Sequence, residues 1–385
     1  MIYADYNGSA PLLPEVKEYL HKRLETNLFA NPNAIHSMGQ KITQGIEKCR
    51  SIISEIIGCD PSMLFFNSGS SEGISQILHS LLEYNAEEKK IIITSPIEHV
   101  AISEALHFYQ ERRGYIIKEV AVDKNGVISL ENLKTLLIKH QNQIAMVAIM
   151  AANNETGVIQ PYRDIADLCQ LSNLDFLCDT TQLIGKGDFH FLQSGIDFAV
   201  CSGHKVGAMT GTGFVVTRHP TRLKPYIYGG HQEHGKRSGT QNYLGIETLA
   251  IALNNFQENK NKMTELMKAR ELFEKDMKSN FSEIVIMGEN SLRLAGTTLI
   301  SFPGIHGQAV QIELESHDIF VTTSAACSDN QPETSAVLKA MNIPDDVGRG
   351  VVRISLSHHQ GEFEYRQLAK ALKSSYRKLK KIKSY

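Results

Sequence analysis

Phe198-Ala199-Val200-Cys201 runs without a break into Ser202-Gly203-His204-Lys205, and Val206-Gly207 follows. An apolar stretch of this length suits a short buried strand, and the small, glycine-flanked polar turn after it suits the strand's end. The same pattern recurs along the chain. A strand over 64–66 ends in Asn67-Ser68-Gly69-Ser70-Ser71, and one over 90–94 leads to Glu98-His99. A strand over 144–150 leads to Asn153-Asn154-Glu155, and one over 176–178 to Asp179 and Gln182. Between them lie helical segments: Ile74, Ile77, Leu78, Leu81 and Leu82 fall at helical spacing, and helices are expected over 99–112, 130–140 and 164–171. Further strands are expected over 115–120 and 213–217. Strands alternating with helices predict an α/β fold, a mainly parallel sheet covered by helices. In such open sheets ligands bind beyond the carboxyl ends of the strands. Five strand ends here carry polar chemistry, more than packing alone accounts for.

A chain of 385 residues has room for two or three domains of ordinary size. The segment 245–280 has few breakers and reads as one long helix, the kind that joins two domains. Strands over 297–302 and 351–356 and a last helix over 362–381 follow it. The expected organisation is an N-terminal segment 1–13 packing with the small domain, a large domain over 14–250 and a smaller α+β domain over 251–385. Apolar residues at 42% supply a core, which excludes a mainly disordered chain. Forty Lys and Arg against 42 Asp and Glu leave a net charge of −2, which argues against a general nucleic-acid binder. The longest apolar run, 144–152, is well short of the roughly 20 residues that cross a bilayer. Asp5 breaks the apolar core that an export signal would need, so a cytoplasmic protein without a membrane partner is expected. The six cysteines, at 49, 59, 169, 178, 201 and 327, include no CxxC pair and suggest neither zinc site nor disulfide framework. His231-Gln232-Glu233-His234 lacks a further ligand, so no metal is expected.

Three of the polar turns imply one cofactor. Ser68-Gly69-Ser70-Ser71 precedes a helix, where glycine permits close backbone approach and the N-terminus favours an anion; serine is also an ordinary helix cap. Asp179 closes a buried strand, where a carboxylate needs a cationic or hydrogen-bonding partner. Lys205, desolvated after its strand, would have a lowered pKa and could form a Schiff base. A Schiff-base lysine, an acid for a pyridine nitrogen and a phosphate anchor together suit pyridoxal 5′-phosphate.

Beyond these turns, the chain resembles the NifS/IscS cysteine desulfurases of the class V branch of pyridoxal phosphate enzymes, over nearly its full length. The N-terminal motif "YLDxxATTP" is similar to Tyr3-Ala4-Asp5-Tyr6-Asn7-Gly8-Ser9-Ala10-Pro11, and "NPxxxHxxG" to Asn31-Pro32 with His36 and Gly39. "TSGATE" resembles Asn67-Ser68-Gly69-Ser70-Ser71-Glu72, and "TEH" resembles Glu98-His99. Asn153-Asn154-Glu155-Thr156-Gly157, Asp179-Thr180-Thr181-Gln182, Ser202-Gly203-His204-Lys205, Arg237-Ser238-Gly239-Thr240 and Val352-Arg353-Ile354-Ser355-Leu356 match closely, and Cys327 stands near the C-terminus.

The resemblance implies a fold type I enzyme in which Lys205 is the Schiff-base lysine and later moves protons. Asp179 would pair with the pyridine nitrogen, His99 stack on the ring and Gln182 contact its phenolic oxygen. Asn154 would lie near that oxygen and the substrate carboxylate, which Arg353 would bind. Ser70, Ser71, Ser202 and His204 would hold the phosphate, with Thr240 entering from the second subunit of a homodimer. Cys327 would be the nucleophile that takes sulfur from L-cysteine, leaving L-alanine and a persulfide. A sulfur-acceptor protein would then collect that sulfur for iron–sulfur cluster assembly or tRNA thiolation. The chain departs from the family at Gly8-Ser9-Ala10, at Ser71, and at Ser324, which replaces a glycine in the nucleophile loop Thr322-Thr323-Ser324-Ala325-Ala326-Cys327. Arg377, Lys378, Lys380, Lys381 and Lys383 form a basic run, either a solvated helix end or a docking surface for an acidic acceptor. A related lyase or aminotransferase, selenocysteine lyase included, and a weakly active paralogue that needs a partner are the alternatives. A NAD-binding enzyme is set aside because no GxGxxG turn follows the first strand.

Overall fold

Seven strands build the central sheet of the computed structural model, which describes residues 1–85, 88–323 and 333–383. Their spatial order is Leu64–Asn67, Gly213–Thr217, Phe198–Ser202, Asp175–Asp179, Ile144–Ala148, Ile91–Thr94 and Ile116–Glu119. Only Gly213–Thr217 runs antiparallel to its neighbours; the other pairings are parallel. Inner strands such as Phe198–Ser202 are buried at every position. That explains why they read as unbroken apolar runs rather than as alternating ones. The edge strand Ile116–Glu119 keeps Lys118 and Glu119 on its rim, a charge pattern that discourages pairing with another chain.

Alternate strand residues feed two apolar cores on opposite faces. Phe66, Ile91, Ile93, Val147 and Cys178 pack with the helices Ser37–Ile57, Leu130–Lys139, Tyr162–Leu171 and Tyr243–Glu258. Phe65, Ile92, Met146, Leu177 and Val200 pack with Ser70–Leu82 and Val100–Arg113. The α/β expectation, with a mainly parallel seven-stranded sheet, is met. The strand–helix alternation gave no place to Ser37–Ile57, although Ile42, Ile46, Ile53 and Ile57 stand at helical spacing on its buried face.

A third core joins the two chain ends. It gathers Leu266, Phe273, Ile300, Val352, Ile354, Tyr365 and Leu372 from the helices Lys262–Asn280 and Glu362–Lys383 and an antiparallel sheet ordered Val351–Ser355, Thr297–Ser301, Val285–Ile286. Ile2–Tyr3 pairs with Ile319–Phe320, and Ala4 is buried in the same core. The single helix expected over 245–280 is two helices, Tyr243–Glu258 and Lys262–Asn280. Ile246, Leu249 and Leu253 belong to the large core, whereas Leu266, Phe273 and Met277 belong to the third. One straight rod cannot serve both cores. The break falls at Asn259-Lys260-Asn261, where short polar side chains compete with helical hydrogen bonds. Among the described residues no helix is long and apolar enough to cross a membrane.

Candidate active site

The carboxyl ends of the central strands open onto a cavity of about 450 Å³, inside the range of small-molecule sites at roughly 300–1,000 Å³. Ser70, Ser71, His99, Asn154, Asp179, Gln182, Ser202, His204 and Lys205 all line it. Residues up to 135 positions apart in sequence therefore meet because five strand ends meet. Arg353 borders the cavity through Asn154, while Thr240 is exposed and stands apart from the lining. Cys327 and Ser324 lie outside the described residues.

One end of the cavity is built for an anion. The helix Ser70–Leu82 starts from Gly69 at φ 143°, a conformation reserved for glycine, and no side chain caps its first turn. Uncapped first-turn amides aim partial positive charge outward. Close packing keeps the turn tight: a Cβ on Gly213 would lie 2.6 Å from Gly69 Cα and 2.3 Å from the Cys201 carbonyl oxygen. Glu72 steadies the turn by accepting from Ser68 N at 3.0 Å and pairing with Arg237 at 2.9 Å. The hydroxyls of Ser70 and Thr181 meet at 2.6 Å.

The other end holds the acid and the amine. Asp179 is buried and its Oδ1 accepts from the backbone N–H of Thr181 at 2.9 Å and from the Thr181 hydroxyl. Lys205 Nζ donates to the carbonyls of Asn7 and Gly8 at 3.0 and 2.7 Å. Burial and the nearby Arg353 cation pull its pKa down to about 8, against the opposing pull of Asp5 and Asp179. Burial beside Lys205 and Lys186 pushes His204 down to about 4, so its ring is neutral at pH 7, and its Nδ1 lies 3.1 Å from Ser9 Oγ. His99 caps the helix Val100–Arg113 by accepting from Ala101 N at 3.1 Å, which fixes its ring at the cavity wall.

Four residues unassigned by the motifs support this end. Asn7, almost wholly buried, accepts at its carbonyl from Gln182 Nε2 at 2.9 Å and at its side chain from Lys186 Nζ at 3.0 Å. Its amide donates to Asn154 O and Thr297 Oγ1. Lys186 also donates to Gln182 Oε1 at 2.6 Å, and burial together with Lys205 holds its pKa well below that of an ordinary lysine. Glu98 accepts from Ser95 Oγ and Met150 N on one oxygen, and burial pushes its pKa up to about 8. Asp5 pairs with Arg353 at 2.7 Å. Lys186 lies in a non-helical turn four residues after Gln182, where no periodicity marks it; for Glu98 and Asp5 the sequence shows a charge and nothing of its partner.

The arrangement fits pyridoxal 5′-phosphate. Uncapped amides beside the Ser71 and Ser202 hydroxyls suit its phosphate, buried Asp179 suits a protonated ring nitrogen, and Lys205 offers an easily freed amine. The loop 231–234 serves the fold instead. Its Glu233 is buried on Arg50 at 2.8 Å and on Phe66 N at 2.9 Å, and ties the loop to the first central strand.

The pattern of the aminotransferase class-V family matches residues 2–368. The chain is 30% identical, over its whole length and 96% of the relative's, to the cysteine desulfurase IscS of Dictyoglomus turgidum. It is 31% identical, again end to end and over 94% of the relative, to the cysteine desulfurase NifS of Azotobacter vinelandii. A solved NifS-like protein superposes with a TM-score of 0.88 at 32% identity, covering 97% of this chain and 98% of the other. With its lysine, acid and anion turn gathered at one sheet edge and this likeness running the length of the chain, the protein belongs to the class V aminotransferase family.

Proposed function

We propose that the chain is a pyridoxal phosphate-dependent L-cysteine desulfurase, a sulfurtransferase that yields L-alanine and a persulfide on Cys327. The observation that carries this reading is the amine of Lys205, with its pKa at about 8, in one cavity with Asp179 and next to Arg353. When bound, the cofactor supplies an electron sink that acidifies the substrate's Cα–H and loosens its β-substituent. Ser70, Ser71, Ser202, His204 and the first-turn amides would hold the phosphate, with the His204 ring neutral. Asp179 would keep the ring nitrogen protonated, His99 would stack on the ring and Gln182 would contact its phenolic oxygen. Arg353 and Asn154 orient the substrate through its carboxylate. Lys205, close to half neutral near pH 8, takes the Cα proton and returns one to the alanine product. The Cys327 thiolate attacks the substrate sulfur; the new S–S bond forms as the Cβ–S bond breaks, and that electron pair stays with the alanine fragment.

The acceptor of this sulfur is a second protein, and the product serves iron–sulfur cluster assembly or tRNA thiolation in the cytoplasm. Supporting a protein partner, Arg366, Lys370, Lys373, Arg377 and Lys381 line a cleft of net positive charge against the helix Lys262–Asn280, whose Asp276 pairs with Lys373 at 2.7 Å. Charge reversal at Lys370 and Arg377 is expected to slow transfer to an acidic acceptor and leave alanine release unchanged. Thr240, exposed at 231–241, suits a homodimer in which each copy completes the other's phosphate site.

Holoprotein incubated with L-cysteine tests the proposal, with alanine quantified and the persulfide mapped by mass spectrometry. Alanine together with a persulfide on Cys327, both lost in Lys205→Ala and the persulfide lost in Cys327→Ala, is the expected result. Cofactor-loaded protein that makes no alanine, or a persulfide that forms at the normal rate in Cys327→Ser, would overturn it. A parallel assay with L-selenocysteine separates a selenocysteine lyase, which would strongly prefer selenium.

A further inference from the structure

Gln182 lines the cavity with its amide held at both ends. Its Nε2 donates to the Asn7 carbonyl at 2.9 Å, and its Oε1 accepts from Lys186 Nζ at 2.6 Å. An amide fits such a site two ways round, and its partners decide which. Reversed, its oxygen would face the Asn7 carbonyl and its NH2 would face the Lys186 amine, so both bonds would be lost. Lys186 enforces the observed orientation because its nitrogen faces oxygens: Asn7 Oδ1 at 3.0 Å and Tyr6 O at 3.4 Å, besides Gln182 Oε1. A lysine nitrogen among oxygens donates to them in either protonation state, so this does not depend on its charge.

The chain turns to bring the two side chains together. Leu183 N and Ile184 N donate to Thr180 O, and Lys186 N donates to Leu183 O at 3.0 Å. Gly185 makes this turn at φ 77°, where a Cβ would also lie 2.4 Å from Val206 Cγ1. The facing acceptor is equally fixed. Asn7 N donates to Ser355 Oγ at 2.9 Å, and Asn7 Nδ2 donates to Asn154 O at 3.2 Å and Thr297 Oγ1 at 3.0 Å. The Asn7 carbonyl also accepts from Lys205 Nζ at 3.0 Å, so the Gln182 amide and the Lys205 amine share one oxygen and are neighbours.

With one N–H of Nε2 spent on Asn7, the second is the donor that Gln182 can offer the cavity. Pyridoxal phosphate joins its lysine through an aldehyde carbon flanked on the ring by the phosphate arm and by the phenolic oxygen. The arm belongs at the Gly69 turn, so the phenolic oxygen falls on the other side of Lys205. That oxygen is anionic and accepts only. We infer that Lys186 is a positioning residue that fixes the Gln182 amide with an N–H, and not its oxygen, toward the cofactor's phenolic oxygen. The inference deepens the proposed function and rests on it. A donor on the phenolate draws charge from it, and so weakens the hold of the neighbouring Lys205 nitrogen on its proton.

Holoprotein titrated with pH and followed by the visible absorbance of its cofactor reads that proton. Lys186→Met frees the amide to turn and should raise the midpoint by roughly one pH unit, the scale of one hydrogen bond to a charged group. Gln182→Ala removes the donor and should raise it at least as far. Adding Lys186→Met to Gln182→Ala should then change nothing, because the amide through which Lys186 acts is gone. A further rise in the double variant would assign the effect to the charge of Lys186 or to general damage, and would overturn the inference. So would a midpoint that stays still or falls in Lys186→Met while Gln182→Ala raises it. If neither single variant moves the midpoint, the donor from Gln182 fails and the inference with it. Failure of the proposed function is told apart in the wild type, whose Lys205 peptide would then carry no cofactor after borohydride reduction.

Discussion

Replacing Arg353 by glutamine should raise the pH at which Lys205 takes up its cofactor. A lysine must be neutral to attack an aldehyde. Burial and the Arg353 cation bring Lys205 from 10.5 to about 8. At pH 7 that change raises the neutral fraction from about 0.03% to about 9%, roughly 300-fold. In wild-type apoprotein, capture of pyridoxal phosphate on Lys205 should therefore rise through pH 8. Arg353→Gln removes a neighbouring cation and leaves Asp5 and Asp179 in place, so both changes in the local field favour the charged amine. The midpoint should move upward, and each unit of movement lowers capture at pH 7 about ten-fold. Apoprotein mixed briefly with cofactor across a pH series, fixed with borohydride and digested, reports the labelled Lys205 peptide by mass spectrometry. A wild-type midpoint near 10.5, or one that stays still or falls in Arg353→Gln, would refute the electrostatic account. The depressed pKa also sets a stability slope: between pH 8 and 10.5 the unfolded lysine keeps a proton that the folded one has lost, so this group's contribution to stability rises with pH there.

Glu98, raised by burial to about 8, has the opposite sign. Between pH 4.5 and 8 the folded chain holds a proton that the unfolded chain has released, so its contribution falls as pH rises, and Glu98→Gln should melt progressively higher than wild type from pH 5 to 8. A gap that does not change with pH would rule this out. Arg50→Ala leaves the Glu233 carboxylate buried without its 2.8 Å partner and should cost about 3–5 kcal/mol in urea unfolding; a loss near zero would mean the loop 231–234 re-solvates its acid. Lys186→Met frees Gln182 and Asn7, so turnover should drop about ten-fold with KM for L-cysteine little changed, since Lys186 bonds to the ring-side residues and not to Arg353. A rise in KM alone would contradict that placement.

The sheet and most of the cavity lining were legible in the sequence because one physical fact controls both. Strands covered on two faces must be apolar throughout, so a polar residue directly after such a run marks the strand's end, and strand ends are where an open α/β sheet leaves space. Ser70, Asp179 and Lys205 were found in this way. The long helix over 245–280 was misread because its composition is continuous; the break at Asn259-Lys260-Asn261 answers to two separate cores, which no local pattern encodes.

What the sequence by itself determined is a set of chemical groups: the lysine, the acid and the glycine-serine turn at strand ends, and the arginine, singled out by the family resemblance, within a later strand. Tertiary structure alone decided their partners. Asp5 meets Arg353 across 348 positions, Asn7 meets Gln182 across 175, and Lys205 meets the carbonyls of Asn7 and Gly8 across 198 and 197. The physical reason is that periodicity reports which face of an element is buried, a local property. The pKa of a lysine or the partners of an arginine depend instead on which remote charges and carbonyls the folded chain brings within hydrogen-bonding distance.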